Sequence, residues 1–385
     1  MKKQIYLDNA ATTKPDEKVI EAMNEFYSEK YGNASSQHKI GQEAKWGMED
    51  ARKVIAKSIG AKTSEIYFTS GGTEANNFAV KGLFFENAKK GTGKNHIITT
   101  KIEHDCVLNA CKWLEKTQGA EVTYLDVDAE GFIDLEELRN AITEKTFLVS
   151  AIHGNNEIGT IQALEKIGEI CAEKDVLLHT DACQSYTKVD IDVKKMNLSL
   201  VTLNGHKIHG PKGVGALYIK EGTEITTLAH GGGHERNLRS GTENVPGMVG
   251  FAKAVKIAND KDVKAMKELR DYLIEEILKI EKVKLNGPNG DLRLANNINF
   301  SFMNVEGEAI GGYLENEGIY VSTGSACMSH SLEPSHVLKA IGLTPIESNS
   351  SLRISISKFT TKEDIDYFLE NLKKIIEKLR RISPF

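Results

Sequence analysis

Seven short apolar runs alternate with amphipathic helical stretches between residues 65 and 219, and this alternation restricts the fold more tightly than any single motif. The runs span residues 65–69, 96–100, 122–125, 147–152, 175–180, 198–203 and 215–219. Several of them, Ile97-Ile98 and Leu148-Val149 included, lack the polar alternation of a half-solvated strand. Both faces must then be covered, which points to a parallel sheet under helices. Helical spacing occupies the stretches before and between. Ala44, Met48, Ala51, Val54 and Ile55 keep it as far as Gly60, a residue suited to ending a helix, and Ala75, Phe78, Ala79 and Leu83 keep it in the next segment. The chain should form an α/β fold with a mainly parallel seven-stranded sheet flanked by helices.

Beyond about Ala252 the pattern changes. A charged helix is expected over 264–279 and short strands such as 297–301 after it. A last helix over 362–382 carries one apolar stripe of Ile365, Phe368, Leu369, Leu372, Ile375, Ile376 and Leu379. Thr360 with Glu363 offers that helix a capping box. The expected division is a large domain over 15–254 and a smaller α+β domain made of 1–14 with 255–385. At 385 residues, 40% of them hydrophobic, the chain is long enough for both cores. A net charge of −5 gives nucleic acid or an anionic membrane no electrostatic footing, and no apolar stretch reaches signal-peptide or membrane-spanning length. The five cysteines are odd in number and irregularly spaced, which argues against a disulfide framework and for a reducing compartment. A soluble cytoplasmic protein is expected.

Two of the strands deliver chemistry to their carboxyl ends, where open α/β sheets bind ligands. The run at 175–180 leads into Asp181, and the run at 198–203 leads into Asn204-Gly205-His206-Lys207-Ile208-His209-Gly210. A strand-end aspartate and a loop lysine are what a pyridoxal phosphate enzyme needs. The amine bonds the cofactor's aldehyde, and the carboxylate keeps the pyridine nitrogen protonated so that the ring can accept electrons. A lysine in a Gly-His-Lys tripeptide is by itself an ordinary surface residue; the buried run before it changes its meaning. Upstream, Ser70-Gly71-Gly72-Thr73-Glu74 follows a strand, with Thr73 opening a helix, and forms a cradle for a phosphate. Such a turn can equally be plain capping, and it becomes a third component only beside Asp181 and Lys207.

His104 with Cys106 and Cys111, and the pair His230 and His234, are candidate metal ligands on spacing alone. No second cysteine pair completes a zinc pattern, Cys111 falls on a helix with Val107, Leu108 and Leu114, and glycines fill the gap between the two histidines. No resident metal is expected. Cys171 reads as core beside Ile167 and Ile170, while Cys183, next to Asp181 and Gln184, reads as either packing or pocket wall. Cys327 differs from these. It lies in Ser322-Thr323-Gly324-Ser325-Ala326-Cys327-Met328-Ser329, a run of small polar residues before Pro334 that reads as a mobile loop.

Together the segments 6–13, 31–33, 70–77, 103–104, 155–159, 181–184, 205–213, 231–242, 322–332 and 352–353 resemble, in order, the motifs of pyridoxal-phosphate-dependent cysteine desulfurases of the NifS/IscS type, in the class V aminotransferase family. The resemblance implies the fold type I architecture of pyridoxal-phosphate-dependent transferases. It also implies conversion of L-cysteine to L-alanine, with sulfane sulfur left on an enzyme cysteine. Lys207 is then the cofactor-bonding lysine and the base, Cys327 the residue that holds the persulfide, and His104 a stacking partner of the pyridine ring and a proton relay. Asp181 is implied at the ring nitrogen and Gln184 at the phenolic oxygen. Gly72, Thr73, Asn204, Gly205, His206 and, from a second subunit, Thr242 are implied around the phosphate, so a homodimer follows. Asn156, Arg353 and Asn33 are the implied substrate contacts, Arg353 because its fork suits a carboxylate.

The sequence departs from the family at Asn204-Gly205, where Ser or Ser-Ala usually stands. An asparagine amide can donate to a phosphate as a serine hydroxyl does. The implied sulfur acceptor is an iron–sulfur scaffold protein, although tRNA thiolation and other cofactor pathways draw on the same persulfide. Cys327 is also a candidate transient ligand of a cluster within such a complex. Two other readings use the same residues differently. An aminotransferase or selenocysteine lyase would keep Lys207, Asp181 and Arg353 without needing Cys327, and an inert scaffold would bind partners through the 231–236 loop or the terminal helix.

Overall fold

The computed structural model describes residues 3–323 and 334–382. A short strand, β1 (Ile5–Tyr6), precedes two helices, α1 (Glu17–Ser28) and α2 (Lys39–Ser58). The seven apolar runs follow as β2 (Ile66–Thr69), β3 (His96–Thr100), β4 (Glu121–Leu125), β5 (Thr146–Ser150), β6 (Leu177–Asp181), β7 (Leu200–Asn204) and β8 (Gly215–Ile219). They form one sheet in the order β2-β8-β7-β6-β5-β3-β4. Every pairing is parallel except the two made by β8, which alone runs against its neighbours. The expected mainly parallel sheet is therefore present.

Helices α3 (Gly72–Lys90), α4 (Asp105–Gln118), α5 (Leu135–Ala141) and α6 (Leu164–Glu173) lie between the strands in sequence, and α7 (Val245–Ile257) packs with α1 and α2. Consecutive strand residues serve opposite faces. Ile98, Val149 and Val201 enter one apolar cluster with Ala44, Met48 and Phe251, while Ile97, Leu148 and Leu200 enter another with Phe78, Leu83 and Leu114. This two-sided burial is why the runs carry no polar alternation. Helix α2 stops where the sequence suggests, with Gly60 at φ +71°.

The remaining elements are α8 (Asp260–Leu278), β9 (Val283–Leu285), β10 (Asn297–Phe302), α9 (Gly307–Asn316), β11 (Ile319–Tyr320), α10 (His336–Ala340), α11 (Pro345–Asn349), β12 (Ser351–Ser355) and α12 (Lys362–Ile382). Strands β12, β10 and β9 make an antiparallel sheet, and β1 pairs with β11 in parallel. Phe300, Phe302, Leu352 and Ile354 pack there against Leu273 and Ile277 of α8 and against the stripe of α12, all seven of whose apolar residues are buried. At roughly 1.5–3 kcal/mol for each large apolar side chain taken from water, that stripe dominates what holds α12 in place.

Two helix starts differ from the sequence expectation. Helix α8 begins at Asp260 rather than near 264, because the Asn259 side chain caps it by accepting from the Asp262 amide at 3.0 Å. At α12 the reciprocal bonds join Thr361 and Asp364 instead of Thr360 and Glu363: Thr361 N to Asp364 Oδ2 at 3.0 Å, and Asp364 N to Thr361 Oγ1 at 3.2 Å. Thr360 Oγ1 is occupied in accepting from the Ser357 amide.

A third set of contacts ties the two parts together. Ile102, Ile152 and Ile158 pack with Val337, Leu338 and Ile341. The segment after β1 is fastened to β12, with Ser355 N donating to Leu7 O at 2.7 Å and Asn9 Nδ2 to Ser355 O at 2.8 Å. It then crosses to the carboxyl edge of the central sheet, where Thr13 N donates to His206 O at 2.9 Å. Among the described residues no helix is long and apolar enough to cross a membrane.

Candidate active site

Strands β6 and β7 are parallel neighbours with Asp181 opposite Thr202, so Asp181 and the loop that follows Asn204 emerge at one edge of the sheet. Asp181 is buried. Its Oδ2 accepts from Asn76 Nδ2 at 2.6 Å and its Oδ1 from the Cys183 amide at 2.9 Å, two donors that fix the plane of an acceptor-only group. Lys207 Nζ donates to the carbonyl of Ala10, which also accepts from Gln184 Nε2 at 2.8 Å. The loop bearing Lys207 is tightly turned: a Cβ on Gly210 would lie 2.7 Å from Gly205 O. Behind it, Lys188 Nζ donates to the carbonyls of Gln184 at 2.8 Å and Lys207 at 3.3 Å. Burial first, and then the charge of Lys207, pushes Lys188 down to about 7.

Helix α3 starts at Gly72 without a side-chain cap, so its first-turn amides have no partner supplied by the helix. Glu74 faces away from that duty. It accepts from the Ser70 amide at 2.8 Å and pairs with Arg239 at 2.8 and 3.2 Å, which draws the 231–242 segment to the start of α3. A Cβ on Gly72 would lie 2.6 Å from Cys183 Sγ and 3.6 Å from Asn204 Nδ2, so these three residues converge. Asn204 is buried, and while its unpartnered Oδ1 can only accept, its Nδ2 on the Gly72 side is the atom able to donate to an anion. His206 Nδ1 lies 3.2 Å from Thr12 Oγ1, and burial, then Lys207 and Lys212, pushes its imidazole down to about 4. An uncapped helix start beside a buried amide and a neutral imidazole suits a phosphate. With Asp181 and Lys207 next to it, the donor set fits pyridoxal phosphate. Thr242 is exposed on this chain, three residues beyond Arg239.

His104 caps α4, its Nδ1 lying 3.2 Å from the Cys106 amide and 3.0 Å from Cys106 Sγ. The turn before it is held by Glu103, whose Oε1 accepts from Thr100 Oγ1 at 3.0 Å and from the Ile152 amide at 2.7 Å. Glu103 is wholly buried, and that burial pushes it up to about 8, so it is a neutral acid near neutral pH.

On the other side of the cleft, Arg353 sits on β12 between Leu352 and Ile354, which enter the core, so strand alternation aims it to one face as the sequence suggests. Its Nη2 lies 2.9 Å from Asp8 Oδ1 and its Nη1 3.4 Å from the carbonyl of Asn156, while Nε is buried without a partner. Asn33 is exposed and its Oδ1 accepts from the Ser35 amide at 2.9 Å, a local turn. Cys327 and its neighbours at 324–333 lie outside the described residues. The flanks of that segment are fixed beside the site. Ser322 exchanges backbone bonds of 3.1 and 2.7 Å with Arg353, Ser335 Oγ donates to Glu157 Oε2 at 2.6 Å, and His336 Nε2 lies 2.9 Å from Glu103 O.

The structure thus gathers Asp181, Gln184, Asn204, His206 and Lys207 with Gly72 at one sheet edge, and places Arg353 against Asn156 and Asp8. Sequence reasoning gave no role to Asp8, Asn76 or Lys188. A usable signal exists for one of them: Asn76 follows Gly72 by four residues on α3, one helical repeat, whereas Lys188 follows Gln184 through a non-helical turn with Thr187 at φ +63°. Among the described residues no group of three or more His, Cys, Asp or Glu side chains is arranged to hold a metal ion.

Known proteins resemble this arrangement along its whole length. The family model described as aminotransferase class-V matches residues 5–368. Cysteine desulfurase IscS of Dictyoglomus turgidum is 52% identical, over 100% of this chain and 98% of its own. Among solved structures, a NifS-like protein aligns with a TM-score of 0.91 at 40% identity, covering 98% of this chain and 100% of its own. SspA, solved in complex with cysteine, aligns with a TM-score of 0.83 at 39% identity, covering 93% and 100%.

Proposed function

The chain belongs to the class-V aminotransferase family, and on that premise we propose that it is a pyridoxal-phosphate-dependent cysteine desulfurase, converting L-cysteine to L-alanine and passing the sulfur on from an enzyme persulfide. The observation that carries this reading is the placement of Asp181 and Lys207 at the ends of adjacent parallel strands, beside the uncapped start of α3. The full-length likeness to a cysteine desulfurase and the fold shared with a cysteine complex support the substrate.

When bound, the cofactor supplies an aldehyde that bonds amines and a cationic ring that takes up the electron pair left by a departing Cα proton. Lys207 would hold the cofactor through its amine, and Nζ, once released, would be the base that accepts the Cα proton of cysteine. Asp181, oriented by Asn76 and the Cys183 amide, holds the proton on the ring nitrogen. His104 would cover the ring, and Gln184, whose Nε2 now donates to Ala10 O, would turn to the phenolic oxygen. Gly72, Thr73, Asn204, Gly205 and His206 would hold the phosphate, and Thr242 from a second copy of the chain would complete that site. Arg353, steadied by Asp8, takes the substrate carboxylate beside Asn156. Asn33 must release the Ser35 amide to join them.

Cys327 receives the sulfur. Its thiolate forms the S–S bond as the C–S bond breaks, the electron pair of the broken bond stays with the three-carbon fragment, and that fragment gains protons and leaves as alanine. Burial holds the thiols of Cys106, Cys111 and Cys171 up at about 12 and that of Cys183 well above its ordinary value, so all four stay protonated at neutral pH. This supports giving the thiolate role to Cys327. Separate apolar clusters support division into 15–254 and 1–14 with 255–385. We place the protein in the cytoplasm as a homodimer, with an iron–sulfur scaffold protein as sulfur acceptor.

The test is alanine and sulfide formation from cysteine with added pyridoxal phosphate, comparing the wild type with Cys327→Ala. Loss of sulfide with the cofactor's absorption band intact is expected. Equal activity in both would remove the persulfide route, and absence of the band in the wild type would remove the cofactor itself.

A further inference from the structure

Between Asp181 and His104 the structure places two side chains that the reaction does not itself require. Asn76, with no exposed surface, lies on α3, and Cys106 lies in the first turn of α4. Asn76 Nδ2 is 2.6 Å from Asp181 Oδ2 and 3.0 Å from Cys106 Sγ, and Cys106 Sγ is in turn 3.0 Å from His104 Nδ1.

The direction of each bond follows from what each atom can do. A carboxylate only accepts, so the Asn76 amide must turn Nδ2 toward Asp181. Asn76 Oδ1 is then left buried without a partner, as is observed. The second Nδ2 hydrogen goes to the sulfur of Cys106, leaving the thiol proton for His104 Nδ1. A second donor enforces the same polarity. The Cys106 amide, 3.2 Å from Nδ1, can only donate, so Nδ1 must present its lone pair. In the other tautomer an imidazole N–H would face that amide, and α4 would lose its cap.

We propose that Asn76 and Cys106 are positioning residues that join Asp181 to His104 through one directed chain of hydrogen bonds, holding neutral His104 as the tautomer protonated at Nε2. His104 therefore meets the cofactor and substrate as a proton donor, and it gains a proton only by displacing both donors from Nδ1. The consequence for catalysis rests on the reading of His104 as the residue over the cofactor ring; the chain of bonds itself does not.

The other ionisable groups bearing on this cluster are Glu103, which precedes His104; Asp105, next to it on α4; Asp181 and Cys183 at the end of β6; Lys207 from the loop after β7; and His336, 4.0 Å from Asp105. All of them remain when Cys106 is changed. Burial keeps the Cys106 thiol protonated up to about 12, consistent with its acting as a donor.

The experiment uses the full chain free of cofactor, labelled with 15N-histidine and with His104 identified by its loss in His104→Gln. In the wild type the Nε2 signal should be of the protonated kind and the Nδ1 signal of the lone-pair kind. In Cys106→Ala the Nδ1 signal should move toward that of a freer lone pair because one of its two donors is lost, and Cys106→Ser should restore the wild-type signal. Cys106→Val, of similar bulk and without a donor, serves if the alanine variant fails to fold. A proton on Nδ1 in the neutral wild type, or the same Nδ1 signal in wild type, Cys106→Ala and Cys106→Val, would overturn the proposal. Because the readout needs neither cofactor nor cysteine, its failure is distinct from failure of the desulfurase reading.

Discussion

The side chain of Lys188 donates to the backbone carbonyl of Lys207 across 3.3 Å, so a second, half-buried amine supports the residue that carries the reactive one. Burial and the charge of Lys207 lower Lys188 from 10.5 to about 7. Between those values the folded chain binds fewer protons at this site than the unfolded chain. Stability therefore rises with pH through the window, and the charged form costs stability below it. Urea midpoints of the cofactor-free chain, compared at about pH 7 and about pH 9.5, should differ less in Lys188→Met than in the wild type. An unchanged difference would mean that Lys188 titrates as an ordinary amine.

Arg52 and Glu235 form a pair with both side chains buried, Nη1 to Oε2 at 2.7 Å and Nη2 to Oε1 at 2.8 Å, and Glu235 also accepts from the Phe68 amide at 2.8 Å. Glu235, Arg236 and Asn237 hold φ values of 43°, 57° and 68°, a backbone that side-chain-bearing residues adopt only when held. Glu235→Ala leaves the buried guanidinium only the more exposed Glu49, 3.3 Å from its Nε, as counter-charge, and should cost about 3 kcal/mol in denaturant unfolding. A loss below about 1 kcal/mol would show that the pair is not what holds this segment.

A methyl group at residue 72 would meet Cys183 Sγ at 2.6 Å. Gly72→Ala alone should therefore destabilise by about 1–3 kcal/mol and weaken cofactor binding, and the double change with Cys183→Ala should recover most of both. Equal losses in the single and double variants, followed by unfolding midpoint and cofactor titration, would place the strain elsewhere.

Arg353 is steadied by Asp8 at 2.9 Å and keeps a buried Nε without a partner. Replacing it with Lys removes the planar fork, and loss of one charge-assisted bond of about 1.5–3 kcal/mol should raise KM for cysteine by about 10- to 150-fold, with kcat affected less. Asp8→Asn should move KM the same way by a smaller factor. Steady-state kinetics with an unaltered KM in Arg353→Lys would remove Arg353 from substrate binding.

Strand positions are legible in the sequence because residues such as Ile97 and Ile98 serve opposite cores, which erases polar alternation, and Asp181 and Lys207 are legible because each follows such a run. Pairing across distance is not legible. Asn76 meets Asp181 from 105 residues away and Asp8 meets Arg353 from 345, and neither partner carries a local mark of the other. Lys188, after Thr187, looks like any solvated lysine, and only the packing of the Lys207 loop against it reveals its partial burial. At the last helix both Thr360 with Glu363 and Thr361 with Asp364 have the spacing of a capping box. The bond from Ser357 to Thr360 decides between them, and that bond depends on how the chain leaves β12.

Ala10 receives Lys207 and Gln184 through its carbonyl, yet its own amide is fastened to the hydroxyl of Ser355, 345 residues further on. During synthesis on the ribosome, Asp181 and Lys207 are both made long before the strand that anchors their seat emerges. Assembly of the site is thus timed to near-completion of the polypeptide, and a nascent or prematurely stopped chain lacking β12 carries the reactive lysine without the anchored segment that seats it.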